Sequence, residues 1–143
     1  MAGRWPTSQW PEVLVVDDEQ EVRSFLELVL RRSGLTVRSA ASGHEAVELF
    51  RERHRSIHVV LLDVQMPGMD GPVTLAALQR IDPNVECCFM SGDTDRYAPE
   101  ELLGLGAAHL CRKPFTDWAF LEETLLEMAL LQNLSKWEDG EGA

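Results

Sequence analysis

The chain repeats one local pattern five times: a short apolar run that stops at polar residues, followed by a segment with helical spacing. The runs are Val13–Val16, Leu35–Ser39, Ile57–Leu62, Val85–Met90 and Ala107–Cys111. Strand–helix alternation with short connections closes into a parallel sheet with helices on both faces. The third run constrains the fold most. Val59-Val60-Leu61-Leu62 is continuously apolar, as a strand buried on both faces must be. It stops at Asp63, then gives way to the turn Val64-Gln65-Met66-Pro67-Gly68-Met69 and to Asp70-Gly71. Asp70 is placed to cap a helix.

The intervening helices follow from spacing. Val22, Phe25, Leu26, Val29 and Leu30 recur on one face, and Gly34 closes that helix. Ser42-Gly43-His44-Glu45 reads as a capping box. A third helix after Gly71 ends at Asp82-Pro83. A fourth is predicted from about Asp95 to Leu103, and a last from about Asp117 to Leu131. The expected division is an N-terminal tail over 1–11, one domain over 12–132 and an acidic tail over 133–143.

A chain of 143 residues is long enough for one domain with a real core. The net charge of −11 opposes nucleic-acid binding, which needs clustered Lys and Arg. Cys87, Cys88 and Cys111 show no zinc-type spacing and read as reduced core residues. No apolar run approaches the roughly 18 residues of a membrane span, and no signal-peptide pattern is present. A cytoplasmic location is therefore expected, with no membrane partner.

What sits at the strand ends points to function. The first strand delivers Asp17 and Asp18, the third Asp63, the fourth Ser91 and the fifth Lys113. In a flavodoxin-like (βα)5 doubly wound sheet of order 2-1-3-4-5, ligands bind beyond those ends, where strands one and three are neighbours. Each residue has an ordinary reading. Asp17 or Asp18 can cap the first helix, Ser91 can be a turn residue, and Lys113 a surface lysine. Together they set three carboxylates beside a hydroxyl and an ammonium. Crowded carboxylates raise one another's pKa, and a hard cation such as Mg2+ relieves that conflict. A carboxylate can also attack phosphorus to give an acyl phosphate, whose oxygens Lys113 and Ser91 would hold.

These residues carry a resemblance. Val-Val-Asp17-Asp18-Glu19, Leu-Leu-Asp63-Val-Gln-Met-Pro67-Gly-Met-Asp70-Gly71, Met-Ser91-Gly92 and Lys113-Pro114-Phe115 together resemble the receiver domain of two-component response regulators, over roughly residues 12 to 132. The single-domain chemotaxis regulators are the part of the family it looks most like. The resemblance implies that Asp63 takes a phosphoryl group from a phosphohistidine on a sensor histidine kinase or phosphotransfer protein. It implies that Asp17, Asp18, Asp63 and the backbone carbonyl of Gln65 hold Mg2+. Lys113 would contact the phosphoryl group, Ser91 would move to bond it, and the Lys113–Pro114 peptide is commonly cis. One position departs from the pattern. Three residues before the lysine, where the family often has a rotating aromatic, this chain has Leu110.

The resemblance makes the chain a signalling domain that assists only its own phosphorylation and dephosphorylation. Output is expected through a downstream protein or a homodimer, on the face made by the fourth helix, fifth strand and fifth helix. Phe120, Leu121, Leu125, Leu126, Met128, Ala129, Leu130, Leu131 and Leu134 exceed one narrow helical stripe, which supports such a surface. Two other readings stand beside it. One is a receiver-like protein-binding module without phosphoryl chemistry. The other is a Mg2+-dependent phosphohydrolase, which would want a second acid two residues after Asp63, where Gln65 stands.

Overall fold

The computed structural model describes residues 11–92, 96–113, 122–128 and 130–131. Five parallel strands form one sheet: β1 (Glu12–Val16), β2 (Thr36–Ala40), β3 (Val59–Asp63), β4 (Cys87–Ser91) and β5 (His109–Arg112). Their spatial order is β2-β1-β3-β4-β5, the flavodoxin-like arrangement expected from the sequence. Four helices connect them: α1 (Gln20–Arg32), α2 (Gly43–Arg53), α3 (Gly71–Ile81) and α4 (Pro99–Gly104). Residues 122–128 are also helical.

Alternation along the central strands builds two cores. Leu14, Val16, Val60, Leu62, Cys87 and Phe89 face one side, where Ala46 and Phe50 of α2, Leu75 and Leu78 of α3 and Leu102 of α4 cover them. Val13, Val15, Val59, Leu61, Cys88 and Met90 face the other, under Leu26 and Leu30 of α1 and Leu125 and Met128. Every residue of β1, β3 and β4 is buried. Leu131, by contrast, is 61% exposed. Cys111 is only half-buried rather than a core residue, while Cys87 and Cys88 are fully covered.

Local chemistry sets the boundaries. α1 ends in a paired turn, with Gly34 N–H on the Arg31 carbonyl and Leu35 N–H on the Leu30 carbonyl. Gly34 takes a φ of 90° to allow it. Because Leu35 spends its N–H on that turn, β2 starts at Thr36 instead of Leu35. β3, β4 and β5 likewise begin two residues later than their apolar runs. Ser42 Oγ accepts the Glu45 N–H at 3.1 Å, capping α2, and Asp70 Oδ1 accepts the Val73 N–H at 3.0 Å, capping α3. α4 begins at Pro99, not near Asp95. A residue before proline is pushed out of the helical region, and Ala98 is extended. Pro99 then occupies the first turn, where its missing N–H costs nothing.

Residues 1–10 and 132–143, and with them most of both expected tails, lie outside the described residues, as does the start of the expected last helix. Pro11 is buried, and its carbonyl accepts the Thr36 N–H. Among the described residues, no helix is long and apolar enough to cross a membrane.

Candidate functional site

Register decides which side chains meet. β1 and β3 pair from Val13 with Val59 to Val16 with Leu62, so Asp17 and Asp63 emerge side by side. On the other flank, Asp63 aligns with Met90, which sets Ser91 one residue beyond it. Ser91 aligns with Arg112, and the Lys113 N–H donates to the Ser91 carbonyl at 2.7 Å. That bond extends the ladder one step and aims Lys113 back across the sheet ends.

The result is a compact charged cluster. Lys113 Nζ lies 2.8 Å from Asp17 Oδ2 and 3.3 Å from Asp63 Oδ1. Carboxylate oxygens of Asp17, Asp18 and Asp63 all lie within 4.8 Å of one another. Asp17 is fully buried and Asp63 is 5% exposed, while Asp18 faces solvent. Asp17 Oδ1 also accepts the Glu19 N–H at 2.9 Å, and its carbonyl accepts Arg23 Nη1 at 2.7 Å. Neither Asp17 nor Asp18 caps α1: Glu19 is its N-cap and makes no side-chain bond there. Asp17 instead pins the turn into the helix.

Crowding is visible in the acid–base chemistry. Burial first, and the Asp17 carboxylate second, push the Asp63 pKa up to about 7, against the pull of Lys113 and a backbone bond from Gln65. Burial works to lower the Lys113 pKa, but its bond to Asp17 and the charge of Asp63 outweigh it, and the ammonium is held above its usual range. One ammonium is too little to offset three converging carboxylates. The donor set of hard oxygens, part solvent-facing through Asp18, suits a divalent cation such as Mg2+.

The turn between β3 and α3 is fixed by close approach. The Gly71 N–H donates to the Val64 carbonyl at 2.8 Å. A Cβ on Gly71 would stand 2.6 Å from the Asp63 carbonyl oxygen and 2.8 Å from Val64 Cα, so only glycine fits. α3 therefore starts hard against the strand that carries Asp63.

Of the residues expected from the sequence, Asp17, Asp18, Asp63 and Lys113 come together here, Ser91 ends the neighbouring strand with its carbonyl on the Lys113 N–H, and the Gln65 backbone bonds Asp63. Leu110 is half-buried and packs on the core under α4, away from this cluster of charges. Pro114, and so the Lys113–Pro114 peptide, lies outside the described residues. The sequence reading gave no role to Tyr97 or Arg96. Tyr97 donates to Asp70 Oδ2 at 2.7 Å and Arg96 Nη2 lies 3.5 Å from the same oxygen. A contact spanning 27 residues between two loops leaves no local sequence signal.

The model of the response regulator receiver domain matches residues 13–125, most of the chain. The chain belongs to that family. Its receiver domain is 38% identical over 108 residues to the transcriptional regulatory protein PrrA of Mycobacterium tuberculosis, covering 73% of this chain and 44% of that protein. It is 42% identical over 80 residues to the sensor kinase CckA of Brucella abortus, covering 56% of this chain and 8% of the kinase. The chain thus spans less than half the length of these relatives. Among solved structures, the response regulator receiver domain protein of Clostridium thermocellum superposes with a TM-score of 0.79 at 27% identity, covering 86% of this chain and 97% of that one. The CheX–CheY–BeF3–Mg complex of Borrelia burgdorferi gives a TM-score of 0.74 at 28% identity, covering 81% of this chain and 87% of that one. Receiver domains are phosphoacceptor signalling modules of two-component systems, not enzymes in the usual sense, and they bind Mg2+ at an acidic cluster of the kind formed here by Asp17, Asp18 and Asp63.

Proposed function

We propose that Asp63 is the phosphoacceptor of this receiver domain and that its modification switches a protein-binding surface. The observation that carries this reading is the grip of Lys113 on both Asp17 and Asp63 at the ends of neighbouring strands. A carboxylate oxygen of Asp63 attacks the phosphorus of a phosphohistidine on a sensor histidine kinase or phosphotransfer protein. The P–N bond breaks, and its electron pair leaves with the imidazole nitrogen. Asp17, Asp18, Asp63 and the Gln65 carbonyl would hold Mg2+, which supplies charge to keep Asp63 ionised and to offset the phosphoryl oxygens. Lys113 neutralises one of those oxygens, and the Ser91 hydroxyl donates to another.

The output surface in this reading is the α4–β5 side with the adjoining C-terminal helix, taken by a downstream protein or a second copy of the chain. Leu103 and Leu105 at 45% and 43% exposed, with Leu131, supply apolar contact area there. The domain spans 12–132 and works in the cytoplasm, without contact to nucleic acid or membrane.

Intact mass after incubation with acetyl phosphate tests the reading. One phosphoryl adduct is expected, dependent on Mg2+ and absent in Asp63→Asn. An unmodified wild-type chain under those conditions would overturn it in favour of a binding module.

A further inference from the structure

Two loops flank the phosphoacceptor. One leaves Asp63 and ends at Asp70; the other leaves Ser91 and returns through Arg96 and Tyr97 to α4. They are tied together at Asp70. Its Oδ1 caps α3 on the Val73 N–H at 3.0 Å, and its Oδ2 accepts the Tyr97 hydroxyl at 2.7 Å, with Arg96 at 3.5 Å. The Tyr97 ring also packs against the core beneath α4. Hydrogen bonding to Asp70 raises the phenol's pKa first of all, as do slight burial and the Asp70 and Glu101 charges, with Arg96 opposing.

We propose that Tyr97 is a positioning residue of the phosphoryl switch: its bond to Asp70 holds Arg96 and Tyr97, at the entry to α4, in the unphosphorylated position, and occupancy of Asp63 breaks it. The proposal rests on the phosphoacceptor reading above. Its geometry is one-sided. Asp70 cannot follow a moving loop, because its other oxygen caps α3 and Gly71 is seated against the Asp63 carbonyl. When Ser91 closes on a phosphoryl group, the pull reaches Tyr97 at the entry to α4, and the bond yields at that end. The ring then carries the displacement into α4 through the core contact it already makes. This assigns to Tyr97 a relay that Leu110, with no ring or hydroxyl, does not provide.

Tyr97 is the single tyrosine of the chain, so tyrosine labelled isotopically at Cζ gives one nuclear magnetic resonance signal. The reference for a broken bond is Asp70→Ser, which still caps α3 but is too short to reach the phenol. Beryllofluoride with Mg2+, a phosphoryl mimic, is expected to move the wild-type signal to the Asp70→Ser position. Tyr97→Phe removes a bond present only in the empty state and is expected to bind beryllofluoride about 3- to 10-fold more tightly. A purely structural role would leave affinity unchanged or weaken it. An unmoved Cζ signal, while fluorine resonances register bound beryllofluoride, overturns the latch and leaves the phosphoacceptor reading standing. Unchanged affinity in Tyr97→Phe overturns it equally. No bound fluorine signal in the wild type overturns the phosphoacceptor reading, and the latch with it.

Discussion

β1 has a buried carboxylate at each end, and the two are treated in opposite ways. At its start, Glu12 is 7% exposed and its charge is offset: Arg38 Nε lies 3.1 Å from Oε1 as an ion pair without hydrogen-bond alignment, and Ser56 Oγ donates to Oε2 at 3.0 Å. Its backbone is held as well, with its N–H on His58 Nδ1 at 3.0 Å. Just past the other end, Asp17 shares one ammonium with Asp63, and Asp18 crowds both. The first arrangement stabilises a strand edge. The second leaves negative charge uncompensated, the kind of arrangement that functional sites gather.

Substitutions at the two ends should therefore respond differently to Mg2+. The largest effect is expected from Lys113→Met. Removing the cation leaves Asp17 and Asp63 facing each other, at a cost of about 2–3 kcal/mol at neutral pH. Added Mg2+ should recover part of it, as urea unfolding would show. Glu12→Gln should cost less, about 1–2 kcal/mol, through the weakened Arg38 pair. Mg2+ should not restore that loss, and the phosphoryl adduct should form normally. If Mg2+ rescues both variants alike, the contrast between the two ends collapses.

The smallest effect is one of pH. The Asp63 carboxyl has its pKa raised to about 7 in the folded protein, against about 4 in an unfolded chain. Between those values the folded state holds a proton that the unfolded state has lost. Stability should therefore be highest at the acid end of the window and fall as pH rises through it. After screening the fall amounts to about 1 kcal/mol. Asp63→Asn should flatten this slope and raise stability by a similar amount at neutral pH. A wild-type protein whose melting temperature is level from pH about 4 to about 7 would show that the crowding is relieved in some other way.

Much of this was legible in the sequence where the cause is local. A continuous apolar run followed by a carboxylate and a Pro/Gly turn placed β3, Asp63 and the capped start of α3. The neighbouring of Asp17 and Asp63 followed once the parallel sheet implied by the alternation was taken as flavodoxin-like, with strands one and three adjacent. What the sequence hid depends on chain geometry at a distance. The Glu12–Arg38 and Tyr97–Asp70 pairs join elements whose approach no spacing rule announces. Ordinary positions also misled: Leu35 is apolar and looks like strand, yet its N–H closes α1. The start of α4 was legible after all in Ala98-Pro99, since proline dictates where a helix can begin.

The seating of α2 against α3 has a mechanical consequence. A side chain on Gly43 would collide with Thr74 Oγ1 and lie 2.7 Å from Met69 Cβ. The two helices thus meet at their first turns with no slack, and Met69 belongs to the loop that leaves Asp63. This half of the molecule is a stiff wedge. A shove at the strand ends finds no give on this side. Conversely, one methyl group added at the head of α2, a helix bearing none of the cluster's charged side chains, will press through Met69 upon the aspartate's own loop.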